Sequence, residues 1–339
     1  MRVLVTGGAG FIGCNLTHHL ISKGNDVIVY DNLSRPRTQF NLEWLKNEFG
    51  KGFSFVRGDI RDMDKLAKAA KKVDAIYHMA GQVAITTSVA NPREDFEINA
   101  YGTFNVLEAA RKSGRQPIVF YASTNKVYGG LERIKIFKGK TRYFFKGLPK
   151  GVPESFGLDF YSPYGCSKGC GDQYVRDYSR IYNLPTIVFR QSCIYGYRQF
   201  GVEDQGWLAH FVIAAISGKD IIIYGDGKQV RDVLFIDDLI NAINLAVSNI
   251  KVTSGNVYNI GGGYKNTLSV WTETKLLLEG LLKKKIKAKM FDWRPGDQRI
   301  YVSDMSKAKK DFGFYPKISP KEGIGELFLW VEQNKVFFK

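Results

Sequence analysis

The first 31 residues restrict the fold more than any other stretch of this chain. Val3-Leu4-Val5 is a short apolar run, Thr6-Gly7-Gly8-Ala9-Gly10-Phe11-Ile12-Gly13 follows it, and an amphipathic stretch extends to Lys23. Asp26-Val27-Ile28-Val29-Tyr30-Asp31 comes next, a second buried-strand pattern that ends in an acid. Strand, glycine-rich turn, helix and strand in that order turn a weak glycine pattern into a credible dinucleotide fingerprint. Gly7 and Gly10 let the turn close and the backbone approach a pyrophosphate, while Gly13 lets the helix pack on the strand. The pyrophosphate would rest on the helix N-terminus. Asp31, 18 residues past Gly13, would accept the adenosine ribose hydroxyls and repel a 2′-phosphate, so NAD is expected over NADP. Arg35 and Arg37 follow closely enough to soften that preference.

The same rhythm continues downstream. Strand patterns at 2–6, 26–31, 53–57, 74–78, 116–122 and 185–190 alternate with helical ones centred near 12–23, 40–48, 62–72, 92–113 and 163–182. Such alternation predicts an α/β fold, a Rossmann doubly wound parallel sheet. Beyond residue 195 the rhythm breaks into glycine turns at 225–227 and 261–263 with shorter elements between. The expected division is an NAD-binding domain over 1–192, with later returns near 230–262, and a smaller, interleaved C-terminal substrate domain over 193–339. Ligands of doubly wound sheets bind at the carboxyl ends of the strands, which the second domain would cover.

Composition fits an enzyme with a large core. Hydrophobic content of 44% and aromatic content of 14% in 339 residues exclude disorder. No apolar run reaches 18 residues, and the N-terminus opens a βαβ unit in place of a signal peptide, so a cytoplasmic protein without a membrane partner is expected. Cys14, Cys166, Cys170 and Cys193 lack zinc spacing and read as buried thiols in a reducing compartment, with no metal site.

Tyr164 and Lys168 lie four residues apart in Ser162-Pro163-Tyr164-Gly165-Cys166-Ser167-Lys168. Ser162 reads as an N-cap and Pro163 as the first helical residue, so the pair should share one face of a helix's opening turns. An ammonium beside a phenol favours the phenolate, which would make Tyr164 a usable base near neutral pH. With 18 tyrosines and 32 lysines in the chain, roughly two such spacings arise by chance, and Tyr224/Lys228 is the second. Its interior, Gly225-Asp226-Gly227, is a turn.

Position separates the two pairs. Gly58-Asp59-Ile60 follows the third predicted strand, and Asp59 would accept an adenine amino group. Ala80-Gly81-Gln82 follows the fourth, and Ser123-Thr124-Asn125-Lys126-Val127-Tyr128-Gly129 the fifth. Thr124, 40 residues before Tyr164, would hold the substrate oxygen that the tyrosine deprotonates. Any one of these residues would commonly just cap a helix; polar clusters at successive strand ends make that reading improbable.

Together these residues resemble the extended short-chain dehydrogenase/reductase superfamily over practically the whole chain, and within it the nucleotide-sugar epimerases. The resemblance rests on the glycine turn, Asp31-Asn32-Leu33-Ser34-Arg35, Asp59-Ile60, Ala80-Gly81-Gln82-Val83-Ala84, the 123–129 segment and Ser162 to Gly169. Arg198-Gln199-Phe200, Asp204-Gln205-Gly206-Trp207 and Arg231-Asp232 add to it. It implies Tyr164 as acid/base, Lys168 on the nicotinamide ribose and Thr124 assisting. It further implies cofactor contacts from Gly7, Gly10, Phe11, Ile12, Gly13, Asp31, Asn32, Asp59, Ile60, Ala80, Gly81, Gln82, Asn99, Ser123 and Gln191. Substrate contacts would come from Gln82, Thr124, Asn125, Cys193, Arg231, Arg294 and Asp297. Arg231 and Arg294 match positions that hold the nucleotide's phosphates, a task that suits forked guanidinium donors, with Asp297 orienting Arg294 or accepting a ribose hydroxyl. For Arg294 a plain surface ion pair is an equally strong reading. Cys193 stands where the superfamily often has Asn, which leaves the contacts at that position open.

The resemblance also separates reactions. A 4,6-dehydratase usually carries an acidic pair directly after the threonine, and this chain has Asn125 and Lys126. Epimerisation is therefore expected, most simply at C2 of a CDP-linked 3,6-dideoxyhexose, with a UDP-sugar 4-epimerase as the alternative. A catalytically silent NAD-sensing scaffold is the reading from outside enzymology, and the intact Tyr164, Lys168 and Thr124 argue against it. A homodimer or homotetramer is implied, paired through the helix of Tyr164 and its neighbour at 92–113. The net charge of +16, concentrated in Lys283-Lys284-Lys285, Lys307/Lys309/Lys310 and the 133–150 segment, suits an anionic nucleotide substrate. Segment 131–150 has the mixed basic and aromatic texture of a nucleic-acid surface, yet solvated lysine faces are commoner, and no nucleic-acid partner is expected.

Overall fold

The computed structural model describes residues 1–294 and 297–338, and they form two compact units. The first comprises Met1–Val127, Ser162–Arg190 and Ile240–Tyr258; the second comprises Tyr128–Tyr161, Gln191–Leu239 and Asn259–Lys339. The expected first domain over 1–192 thus loses 128–161, which packs with the second unit, and its later return narrows to 240–258.

A seven-stranded sheet organises the first unit. Its strands are β1 (Arg2–Thr6), β2 (Asp26–Asp31), β3 (Phe53–Arg57), β4 (Ala75–His78), β5 (Ile118–Thr124), β6 (Thr186–Gln191) and β7 (Asn256–Ile260). Their order is β7-β6-β5-β4-β1-β2-β3, the doubly wound arrangement. The pairs β1–β2, β1–β4, β2–β3 and β4–β5 are parallel. Val3, Leu4 and Val5 are wholly buried, as are Val27, Val29 and Tyr30, because helices cover both faces of the sheet. That double coverage is why the strands read as unbroken apolar runs.

Helices at Phe11–Ser22, Thr38–Phe49, Met63–Ala69 and Ser162–Tyr182 fall where the periodicity predicts them. The stretch expected as one helix over 92–113 is instead Pro92–Phe96, a π-helical turn at Glu97–Tyr101, and Gly102–Arg111. The wider turn contains Asn99. Helix Ser162–Tyr182 is clamped to the sheet through Asp172, which has no solvent exposure. Arg190 makes a two-pronged contact with its carboxylate at 2.8 Å on each oxygen, and the Ser123 hydroxyl donates at 2.9 Å.

The second unit is built from shorter pieces. Val230–Phe235 pairs antiparallel with Thr267–Ser269 and parallel with both Ile300–Tyr301 and Cys193–Tyr195. Ile221–Tyr224 pairs with Ala288–Phe291, and a hairpin joins Ile136–Lys138 to Tyr143–Phe145. Helices Trp207–Ser217 and Pro320–Gln333 pack among these strands. The Tyr224/Lys228 spacing is no helix face: Tyr224 ends a strand, and Gly225 and Gly227 turn with φ of 79° and 70°.

Candidate functional site

In the first unit, strand order reverses between β1 and β4, and the glycine turn leaves β1 at that point. Gly7 has φ of 67°, and a Cβ there would lie 2.6 Å from the backbone nitrogen of Ala80, at the end of β4. A Cβ on Gly13 would collide with the Gly7 carbonyl oxygen. Gly10 caps helix Phe11–Ser22 without any side-chain cap, so the first-turn N–H groups, at Phe11 and Ile12 onward, lack a side-chain acceptor. A turn with no room for side chains, leading into an uncapped helix start, fits a pyrophosphate.

Asp31 closes the far side of the turn. One carboxylate oxygen accepts from the Ala9 N–H at 3.0 Å and the other from Leu33 at 2.8 Å. Burial pushes this carboxyl up, against the pull of backbone N–H groups. Asp59 is differently placed. One oxygen takes the Arg61 N–H and Nε, each at 2.9 Å. The other takes Arg61 Nη2 at 2.8 Å and Asn32 Nδ2 at 3.0 Å. Those bonds, Arg61 foremost, hold its pKa down to about 2. Both oxygens are saturated, so an adenine amino group would have to displace a donor there. Ile60 is buried against Gly102.

At the end of β4, a Cβ on Gly81 would meet Asn99 Oδ1 at 3.0 Å and Lys168 Nζ at 3.8 Å. Asn99 and Gln82 are cross-linked: the Gln82 N–H donates to Asn99 Oδ1 at 3.0 Å, and Asn99 Nδ2 returns a bond to the Gln82 carbonyl at 3.0 Å. Both amide groups also donate to buried Asp95, Gln82 at 2.8 Å and Asn99 at 3.1 Å. Asp95 accepts from Ser167 Oγ at 2.5 Å as well, which ties the 82–99 segment to the turn of helix that separates Tyr164 from Lys168. Neither Asp95 nor Ser167 stood out in the sequence, where both look like ordinary helix polar residues.

Thr124 lies near enough to Tyr164 for its hydroxyl to favour the ionised phenol. Gly165 N–H donates to Ser162 Oγ at 3.2 Å, the anticipated cap. Tyr164 and Lys168 are 8% and 5% exposed, and this burial reverses one expectation. The phenol is pushed up to about 12 by desolvation, with Asp95 adding to the rise and the Thr124 hydroxyl opposing it. Lys168 is pulled down to about 7, again by desolvation, with Asp172 and Asp95 opposing. The cost of burying either charge outweighs the field that the ammonium and phenol exert on each other. Ser123 turns its hydroxyl to Asp172, and Asn125 lies buried beside Thr124.

The second unit holds the remaining candidates. Gln191 is 8% exposed, and its buried Nε2 has no partner among the described residues, a donor left for a ligand. Cys193 accepts from the Trp207 indole at 3.4 Å. Arg231 is buried and pairs with Asp297 at 2.7 Å. Asp297 therefore orients Arg231, correcting the expected partnership with Arg294. Arg294 instead lies 3.7 Å over the Tyr224 ring and pairs with Glu203 at 3.0 Å. Arg294 and Asp297 do share a cavity of about 380 Å³, walled by Trp293, Arg299, Leu131 and Phe145. Pro295 and Gly296, between Arg294 and Asp297, lie outside the described residues. The thiol expectation holds at Cys14 and fails at Cys166, which sits on an exposed position of its helix.

Residues 4–327 match the family model described as GDP-mannose 4,6 dehydratase. The chain belongs to this family, within the extended short-chain dehydrogenase/reductases. It is 45% identical to the CDP-paratose 2-epimerase of Salmonella typhi, over 97% of this chain and 99% of that protein. It is 34% identical to a putative UDP-glucose 4-epimerase of Methanocaldococcus jannaschii, over 98% and 99%. Among solved structures, the UDP-glucuronic acid 4-epimerase of Bacillus cereus, in complex with UDP-glucuronic acid and NAD, aligns with a TM-score of 0.83 at 28% identity. That alignment covers 98% of this chain and 100% of the other. For a short-chain dehydrogenase/reductase, the first unit thus brings together the turn, Asp31, Gly81, Thr124, Tyr164 and Lys168. It sends Ser123 elsewhere and leaves Asp59 saturated.

Proposed function

We propose that this protein is an NAD-dependent nucleotide-sugar epimerase that inverts C2 of a CDP-linked 3,6-dideoxyhexose, interconverting CDP-paratose and CDP-tyvelose. Buried Tyr164 and Lys168 on one helix, with Lys168 Nζ beside Gly81 and the close-packed glycine turn, carry the reading. The 45% identity to a CDP-paratose 2-epimerase favours C2 and a CDP carrier.

In this reading the turn from Gly7 to Gly13 and Asp31 would hold NAD, with Gly81, Asn99 and Lys168 as further contacts. Bound in its oxidised form, NAD supplies a hydride acceptor and a positive charge. Once ionised to the phenolate, Tyr164 Oη would take the proton of the sugar's C2 hydroxyl as that carbon is oxidised, and would give it back when the ketone is reduced on the opposite face. Thr124 donates to the phenolate oxygen and so lowers the cost of ionising a buried phenol. Protonated Lys168 adds positive charge next to Gly81. The cycle begins and ends with the same oxidation state, so no external reductant is needed.

Dehydration is disfavoured despite the family's name, because Asn125 and Lys126 follow Thr124 and provide no carboxyl group there. Arg231, braced by Asp297, is the diphosphate ligand of choice, and Arg294 is a weaker one because Glu203 already neutralises it. A 4-epimerase acting on a UDP-hexose is the second reading, favoured by the Methanocaldococcus relative. A homo-oligomer is part of the proposal. Phe96, Phe104, Tyr174 and Ile181 expose apolar surface on the helices of 92–111 and 162–182.

Incubating the purified protein with CDP-paratose and following the sugar by NMR tests the assignment. Appearance of the C2 epimer supports it; inversion of UDP-glucose at C4, with CDP-paratose untouched, selects the second reading.

A further inference from the structure

We infer that the outer face of the 136–145 hairpin is a docking surface for an anionic phospholipid bilayer. The hairpin lies in the basic segment that the proposed chemistry leaves unused. It is not a loose loop. Tyr143 donates its hydroxyl to Asp226 at 2.7 Å and its N–H to the Lys228 carbonyl at 3.2 Å. Lys138 pairs with Asp226 at 2.8 Å, and Arg142 Nε reaches Glu273 at 2.7 Å. These bonds fix which side of the ribbon faces out.

Strand alternation then sorts the aromatic residues to two faces. Tyr143 and Phe145 point inward and are buried, while Phe137 and Phe144, directly paired across the ribbon, are 54% and 37% exposed. Their rings stack on each other at 4.8 Å with planes 13° apart. Lys135 and Lys146 are joined by a backbone bond at 2.8 Å as the next cross-strand neighbours, and both are exposed. Lys140 is exposed at the tip, with Arg133 and Lys150 at the flanks. Among the described residues none of these five cations forms an ion pair, whereas Lys138 and Arg142 do.

Two features of this face oppose folding in water. A stacked phenyl pair is left in solvent, and two like charges sit opposite each other on one sheet face, which is destabilising. An anionic bilayer relieves both at once, because phenyl groups enter the headgroup boundary while lysines meet lipid phosphates. Charge complementarity therefore names the partner. Nucleic acid fits less well. The two rings occupy each other's faces, leaving no slot between them for a base, and the cations cluster on a projecting ribbon instead of lining a groove. The contact is a surface one and requires no spanning helix; among the described residues no helix is long and apolar enough to cross a membrane.

The test is flotation of the full-length protein with phosphatidylcholine vesicles containing or lacking phosphatidylglycerol. Binding should require phosphatidylglycerol and fall as salt is raised. The double variant Phe137→Ser/Phe144→Ser and the double variant Lys135→Glu/Lys146→Glu should each lower the vesicle-bound to free ratio about tenfold or more. Both should keep wild-type turnover in solution, which establishes that they fold. Equal binding to both vesicle types, no binding to either, or variants that bind as the wild type does would overturn the inference. So would single-stranded DNA competing the protein off vesicles while losing its own affinity in the same variants, since the face would then be a nucleic-acid surface.

Discussion

The Nζ of Lys168 lies 4.2 Å from the centroid of the Tyr121 ring, and the Tyr121 hydroxyl reaches back to the Lys168 carbonyl oxygen at 3.4 Å. Strand β5 therefore presents Tyr121 to the lysine and Thr124 to the phenol. A cation over an aromatic face at a desolvated position is stabilised by up to about 2 kcal/mol. Tyr121 is thus a positioning residue for Lys168, and replacing its ring should weaken the lysine's hold on its proton.

Tyr121→Leu should lower the rate about three- to thirtyfold, the kinetic equivalent of losing that contact. The apparent pKa of Lys168 should fall below its present value of about 7. Tyr121→Phe keeps the ring and should stay close to wild type. A pH profile of kcat for the three proteins distinguishes this from simple loss of packing, which would lower the rate without moving the profile.

Lys168 also ties stability to pH. Its folded pKa of about 7 lies below the ordinary lysine value of 10.5, so between those limits the unfolded chain carries a proton that the folded chain lacks. Stability contributed at this position accordingly rises with pH across that window and is least below pH 7. Lys168→Met removes the titration, so the variant's advantage over wild type should be larger at pH 6 than at pH 9. Urea denaturation at the two values, without added cofactor, checks the sign.

The Asp172–Arg190 pair is sealed from solvent, its side chains 0% and 3% exposed. Asp172→Asn strands a buried guanidinium and should cost about 3–5 kcal/mol. Replacing both partners together, Asp172→Leu with Arg190→Met, should cost far less than the sum of the single losses. Denaturant midpoints for the single and double variants measure the difference.

Phe96 and Phe104 are 57% and 37% exposed, and Phe104 packs edge-on against Tyr174 with centroids 6.0 Å apart. If these helices meet a second copy, Phe96→Glu/Phe104→Glu should yield a monomer by light scattering while the wild type elutes as a dimer or tetramer. A monomeric wild type would contradict the proposed assembly.

Much of the first unit was legible because a parallel sheet buried on both faces writes itself as apolar runs between helical periods. The strands at 2–6, 26–31 and 53–57 fall as predicted, and so does the Ser162 cap. The glycine turn was legible for a related reason: a Cβ at Gly7 or Gly13 has nowhere to go. The rest depended on partners distant in the chain. Asp95 gains its role from Gln82, Asn99 and Ser167, which no spacing connects. Asp297 chose Arg231 over the nearer Arg294, because Arg294 settled on Tyr224 and Glu203. Direction of the pKa shifts was missed for a third reason, since burial outweighs neighbouring charge once Tyr164 and Lys168 are sealed.

The central claim is that hydride leaves C2 of the sugar and returns to the same carbon. CDP-paratose deuterated at C2, incubated with the protein in ordinary water and without added NAD, tests that directly by NMR. The account predicts an inverted C2 that still carries deuterium. Inversion with the deuterium washed out to solvent, or no inversion at C2 at all, would contradict it.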